Sequence, residues 1–124
     1  DDAAGLLVAT IETEARCLLL YPMPAWEQIE DKIEALPSFN PKTRRIQRLL
    51  LGHASEVEMD KQGRLLLPPL LRDYAHISKK AILLGQGKKF EIWDETTWQT
   101  QREGWLNEKD PFGGLPTQLD DLAL

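Results

Sequence analysis

The stretch Asp60-Lys61-Gln62-Gly63-Arg64 holds the most concentrated chemistry in the chain. Asp60 at the first position of a turn and Gly63 at the fourth suit a type I turn followed by a bulge glycine. Asp60 and Arg64 then flank the three-residue loop Lys61-Gln62-Gly63 and project from one face as a cross-strand pair. An exposed pair of this kind is worth roughly 0–1 kcal/mol, too little to account for the residue choice. Arg and Lys also suit phosphate, and Arg fits the acceptor edge of guanine in a major groove. On spacing alone the motif reads either as a structural hairpin or as a contact site.

Other candidate groups are weaker. Cys17, His53 and His76 are too few and too scattered for a zinc site, which needs close ligand pairs. Glu56, Glu58 and Asp60 alternate with Val57 and Met59, so they read as the solvated face of a strand rather than a hard-cation site. Gly85-Gln86-Gly87-Lys88-Lys89 lacks the Walker spacing and a following Ser or Thr, and reads as a hairpin turn. No nucleophile–His–acid pattern stands out, which argues against an enzyme, and nothing calls for a cofactor. Arg44, Arg45 and Arg48 could touch DNA, or pair with the acidic residues of 27–34 in the same or a neighbouring subunit. The four Trp residues are better read as core or interface anchors than as base-stacking platforms.

The elements that position these groups can be read from periodicity. Residues 6–11 and 17–21 are apolar runs separated by a polar turn, a hairpin pattern. Trp26, Ile29, Ile33 and Leu36 mark an amphipathic helix over 24–36, begun at Pro22-Met23-Pro24 and ended by Pro37. Asn40-Pro41 starts a second helix that runs to about Leu51, with Gly52 as C-cap. An apolar strand leads into the Asp60 turn, and a Leu-rich strand leads out to Pro68-Pro69. Residues 81–84 and 90–93 form a further strand pair, and Asp94 caps a helix containing Trp98, Trp105 and Leu106. At an offset of 72, Trp98 falls on Trp26, Trp93 on Tyr21 and Ile92 on Leu20. This suggests an internal duplication. The second copy is preceded by Asp60–Ala75, and the duplication predicts a similar segment ahead of Asp1. The first residue is not Met, which fits that expectation.

Composition sets the outer limits. With 124 residues and 42% apolar content, one ordinary domain or two very small ones can form a core. No apolar run approaches the length of a membrane-spanning helix, and residues 1–5 do not read as a secretory leader. A single cysteine fits a reducing cytoplasm. The net charge of −5 conceals a segregation. Residues 41–90 hold eleven basic and four acidic side chains, a balance of about +7, while residues 1–40 and 91–124 each hold eight acidic and two basic. A polyanion responds to the field within roughly 10 Å at moderate salt, so an acidic total does not exclude nucleic-acid binding.

The stretch MDKQGRLLLPPLLRDYA, with LLLYPMPAWEQIEDKI before it, RRIQRLLLGHASEVEMD leading in and FEIWDETTWQ after it, closely resembles the bacterial MraZ family. The resemblance covers nearly the whole chain. It implies an α+β, mainly β fold: two pseudo-repeats of an AbrB-like swapped-hairpin β-barrel domain with appended helices. The repeats would occupy 1–53 and 54–108, followed by an acidic tail over 109–124. Each repeat of the family carries a D-x-x-x-R motif. The second falls on Asp60 and Arg64, and the first has no counterpart here. By the same resemblance Lys61, Gln62 and Arg64 face DNA while Asp60 and Gly63 shape the turn. It further implies a nucleoid-associated transcription regulator that assembles as a homo-oligomeric ring. Its site would be direct repeats in double-stranded promoter DNA upstream of the division and cell-wall genes. An antitoxin-like protein-interaction module on the AbrB fold is the alternative.

Overall fold

Apolar runs joined by short polar turns pair locally, and the sheet grows from two such hairpins. The computed structural model describes residues 6–37 and 39–109. The first hairpin is β1 (Leu6–Ile11) and β2 (Leu18–Pro22), in register from Leu7 opposite Pro22 to Ile11 opposite Leu18. Two helices follow, α1 (Met23–Glu34) and α2 (Pro41–Gly52), and then the short strand β3 (Ser55–Glu58). After α3 (Pro69–Tyr74) comes the second hairpin, β4 (Ala81–Gln86) and β5 (Lys89–Asp94), and then α4 (Glu95–Leu106). The five strands form one antiparallel sheet in the order β3-β1-β2-β5-β4. The α+β expectation therefore holds. The acidic tail expected over 109–124 lies, beyond Lys109, outside the described residues.

Helix boundaries follow the capping chemistry. Asn40 accepts a hydrogen bond from the Lys42 backbone N–H at 2.9 Å, and Pro41 occupies the first turn, where its missing N–H is not needed. Gly52, expected as the cap, is instead the last helical residue. His53 takes the C-cap in right-handed geometry, and its Nδ1 reaches the Leu49 carbonyl at 2.8 Å. A side chain thus satisfies a terminal carbonyl that a left-handed glycine would otherwise serve. Asp94 caps α4 as expected, accepting from the Thr97 N–H at 3.1 Å.

The Leu-rich outgoing strand is reduced to a single bridge, Leu65 opposite Met59. Pro69 supplies a helix-ready φ at the first turn, and the chain enters α3 instead. Leu71 and Ala75, four residues apart, share one face and are fully buried. The end of α3 is a Schellman motif. Ile77 N–H bonds to Arg72 O at 3.0 Å and His76 N–H to Asp73 O at 3.2 Å. His76 sits at φ 58°, a position that favours glycine.

The sheet has two covered faces. Leu7, Ala9, Ile11, Leu18, Leu20, Val57 and Ile92 form a core with Leu71 of α3 and its C-cap Ala75. On the opposite face Val8, Leu19 and Tyr21 pack on Trp26 of α1. The Thr10 hydroxyl donates to Leu50 O at 2.7 Å, and Gln47 Nε2 donates to Ile33 O at 2.9 Å, which ties α2 to the sheet and to α1.

The duplication is visible in three dimensions. Shifted by 72, α1 coincides with α4, and β2 falls within β5. Tyr21 and Trp26 have ring centroids 5.7 Å apart, and their counterparts Trp93 and Trp98 lie 5.5 Å apart. β2 pairs with its own counterpart β5: Leu18 opposite Ile92, Leu19 opposite Glu91, Leu20 opposite Phe90. This register is self-complementary about Leu19 and Glu91, as a pseudo-two-fold axis requires. β3 follows α2 in sequence and precedes the second hairpin, yet it pairs with β1 of the first. That exchange is the swapped-hairpin arrangement.

Candidate nucleic-acid interface

β3 leads through Met59 into the Asp60–Arg64 hairpin, and the geometry of the loop is set by one carboxylate. Asp60 Oδ1 accepts the backbone N–H of Arg64 at 2.8 Å and that of Gln62 at 2.9 Å. Gly63 N–H donates to Asp60 O at 3.0 Å, and Asp60 N–H donates to Arg64 O at 2.9 Å. Gly63 has φ 81°, as the bulge glycine of the expected turn requires. Any β-carbon at this φ would be strained.

The same carboxylate aims Arg64. Asp60 Oδ2 accepts Arg64 Nε at 2.8 Å, and Arg64 Nη2 lies 3.5 Å from Gln62 Oε1. The Arg64 side chain is 75% exposed and that of Asp60 40%. The guanidinium is therefore held by its Nε edge, and the largely exposed side chain stands at the loop tip beside exposed Lys61 and Gln62. The Arg64 backbone N–H, with the Arg64 guanidinium and the N–H groups of Gln62 and Gly63, keeps the Asp60 carboxyl below its ordinary value against a smaller desolvation effect. The carboxylate form is thus the one that builds the turn.

The electrostatic surroundings are mixed. Glu56 and Glu58 are exposed on β3 and line an open groove of about 650 Å³ together with Met59, Asp60, Arg64 and Leu66. Arg44, Arg45 and Arg48 lie on α2, away from this hairpin in sequence. Among the described residues, Arg45 and Arg48 form no ion pair with the acidic residues of α1. α2 is attached to α1 through Gln47 instead. Gly85–Lys89 is a hairpin turn as expected, with Gly87 at φ 72°.

The remaining chemistry is structural. No group of His, Cys, Asp and Glu able to hold a metal occurs among the described residues. Cys17 is fully buried, and burial, with Glu91 and Glu12 nearby, pushes its thiol up to about 12. Trp93, Trp98 and Trp105 form a three-ring cluster with centroids 5.5–6.3 Å apart, and Trp26 is buried in the core under α1. Tyr74 was not singled out by the sequence. Its hydroxyl donates to Glu12 O in the first hairpin turn, and the Arg16 guanidinium lies 4.5 Å above its ring. Glu12 and Arg16 precede it by 62 and 58 residues, so no local pattern could have shown the role.

Comparison with known proteins agrees with this architecture. The family model described as "MraZ protein, putative antitoxin-like" matches residues 2–49 and again 50–111. The transcriptional regulator MraZ of Coxiella burnetii (strain Dugway 5J108-111) is 57% identical over 124 residues, covering 99% of this chain and 82% of the relative. That of Klebsiella pneumoniae (strain 342) is 54% identical over 125 residues, covering 100% and 82%. The Legionella pneumophila (strain Corby) protein is 50% identical over 119 residues, covering 95% and 78%. With a tandem match spanning most of its length and relatives this similar, the chain belongs to the MraZ family.

Proposed function

We propose that the protein is a transcription regulator that binds double-stranded promoter DNA through Lys61, Gln62 and Arg64. Asp60 and Gly63 hold the turn that presents them. The observation that carries this reading is the Asp60-braced guanidinium, which stands largely exposed at the hairpin tip. The two repeats, 1–53 and 54–108, form one unit of a homo-oligomeric ring that displays the hairpin repeatedly in the cytoplasm, at the nucleoid. The DNA site is a set of direct repeats upstream of division and cell-wall genes. The relatives carry the name transcriptional regulator, which supports regulation rather than catalysis.

Repetition is physically necessary. One hairpin offers two cations, and Glu56, Glu58 and Asp60 place three carboxylates close to it. A single hairpin therefore binds weakly, and linked hairpins gain by effective concentration when the DNA repeats match their spacing. Arg44, Arg45 and Arg48 contribute a second basic surface, used between subunits or against DNA.

Fluorescence anisotropy of a duplex bearing the repeats tests the proposal. Each phosphate contact adds about −0.9 to the slope of log affinity against log salt. Three engaged hairpins then give a slope of about −5, a loss of roughly 10³ in affinity between 50 and 200 mM salt. Binding that is flat over this range sinks the proposal. The second reading, a protein-interaction module, is favoured by the antitoxin-like wording of the family description. It predicts capture of a protein partner with no retention of the duplex.

A further inference from the structure

The helices α1 and α2 pack together and carry opposite charge. In α1, Glu27, Glu30, Asp31 and Glu34 follow the spacing i, i+3, i+4, i+7, which sets them on one face. Glu30 is half-buried and the other three are exposed. In α2, Lys42, Arg45 and Arg48 recur every third residue, all are exposed, and the helix has no acidic residue. Like charges one turn apart repel, so each face is unfavourable on its own. The contact between the two helices does not relieve this. It runs through Gln47, whose Nε2 donates to Ile33 O at 2.9 Å. Among the described residues, Lys42, Arg45 and Arg48 form no ion pair with the four carboxylates.

The acidic face adjoins an open groove of about 280 Å³ between α1, the end of α2 and β3. Met23, Trp26 and Leu51 give it apolar walls, and Glu27, Glu30 and Glu56 bring three carboxylates to it. Among the described residues these form no metal-binding group. Trp26 is 4% exposed, and its indole N–H meets no acceptor among the described residues without being sealed from solvent. Apolar walls beside carboxylates suit a long basic side chain. Its methylene stem lies on the apolar surface while its head meets the carboxylates, and arginine does this best at an interface.

We infer that the acidic face of α1 and its groove receive the basic face of α2 from a second copy of this chain, with Arg45 and Arg48 set against Glu27, Glu30 and Glu56. Charge complementarity names the occupant. The α2 helix is basic along its length and has no buried residue, so its outer face is available to a neighbour. Two different surfaces of one chain make a heterologous contact. Each copy offers α2 to one neighbour and α1 to the other, and the chain of contacts closes into a ring when the rotation allows. The inference rests on the oligomeric reading above and adds which surfaces meet. It engages Arg45 and Arg48 between subunits rather than on DNA. Opposite charges on the two faces also fix the register of docking and disfavour contact between like faces.

Two charge reversals in the full chain test the pairing. One variant carries Arg45→Glu with Arg48→Glu, the other Glu27→Arg with Glu30→Arg, and circular dichroism checks that both fold. Mass is read by light scattering at low salt, where screening is weak. Each variant alone has both faces of one sign, and its mass should fall at least twofold below that of the wild type. An equimolar mixture should recover the wild-type mass, because every contact in it again joins opposite charges. The wild-type mass should itself fall as salt rises, a readout that needs no variant. Folded variants of undiminished mass, a mixture that stays dissociated, or a wild-type mass indifferent to salt would overturn the inference and leave the ring itself standing. A monomeric wild type would overturn both. Loss of duplex binding by the arginine variant at unchanged mass would assign the α2 face to DNA instead.

Discussion

Replacing Arg64 by alanine separates the two roles that its geometry combines. The side chain is three-quarters exposed and contacts Asp60 and Gln62 within its own hairpin. The turn itself is held by backbone bonds to Asp60, which alanine retains. Folding should survive, with a stability change under about 1 kcal/mol, the range for an exposed pair. The Nη donors, by contrast, are the groups proposed above to meet phosphate or guanine. A bidentate contact of this kind is worth about 1–3 kcal/mol, or roughly 5–150-fold in affinity per engaged hairpin. Arg64→Lys tests the geometry further, because one ammonium cannot both bind Asp60 and present a flat fork outward. It should recover part of the affinity and little of the discrimination between sites. Anisotropy titrations at fixed salt, with circular dichroism and size-exclusion as controls, give the readout. If Arg64→Ala bound the repeats within twofold of the wild type with the same salt slope, the contact assignment would be refuted. If it changed the oligomer instead, Arg64 would be an architectural residue.

Three further outcomes follow from the same structure. His76→Gly relieves a left-handed residue at the end of α3; the steric gain of about 1–2 kcal/mol, less the entropy cost of glycine, leaves a stabilisation of about 0.5–1 kcal/mol, readable as a higher urea midpoint at unchanged m. Cys17 should be inert to a thiol reagent at pH 8 in the native protein and reactive after denaturation, because its thiol is buried and pushed up to about 12; fast native labelling would contradict the packing. Stability should also fall in acid. Asp94, held low chiefly by the Thr97 N–H, and Asp60, held low chiefly by the Arg64 N–H, both have folded values below the ordinary 3.8. Their contribution is complete above that pH and is lost as pH falls through the folded values, so denaturation midpoints should be level from pH 7 to 5 and drop below about 4, less steeply in a D60N/D94N double variant.

Most features that rest on neighbours along the chain were legible in the sequence, the C-cap of α2 at His53 being an exception. Both hairpins, the starts of α1 and α2, the Asp94 cap and the bulged turn at Gly63 depend on contacts within a few residues, and each has a side-chain signature. The duplication was legible because the Tyr21–Trp26 pair and its counterpart recur at a fixed offset. Tertiary structure decided what those signatures leave open. β3 could have stayed with the second hairpin, and only burial of Val57 against Leu7 places it beside β1. The outgoing Leu-rich stretch could have remained a strand. Pro69 together with a pocket for Leu71 and Ala75 turned it into α3, since a six-residue helix has too few internal bonds to persist without tertiary packing. The orientation of Arg64 was written locally, in Asp60. The pairing of Val57 with Leu7 was not, because it is a property of which strand lies beside which, and that is fixed only when the sheet closes on its core.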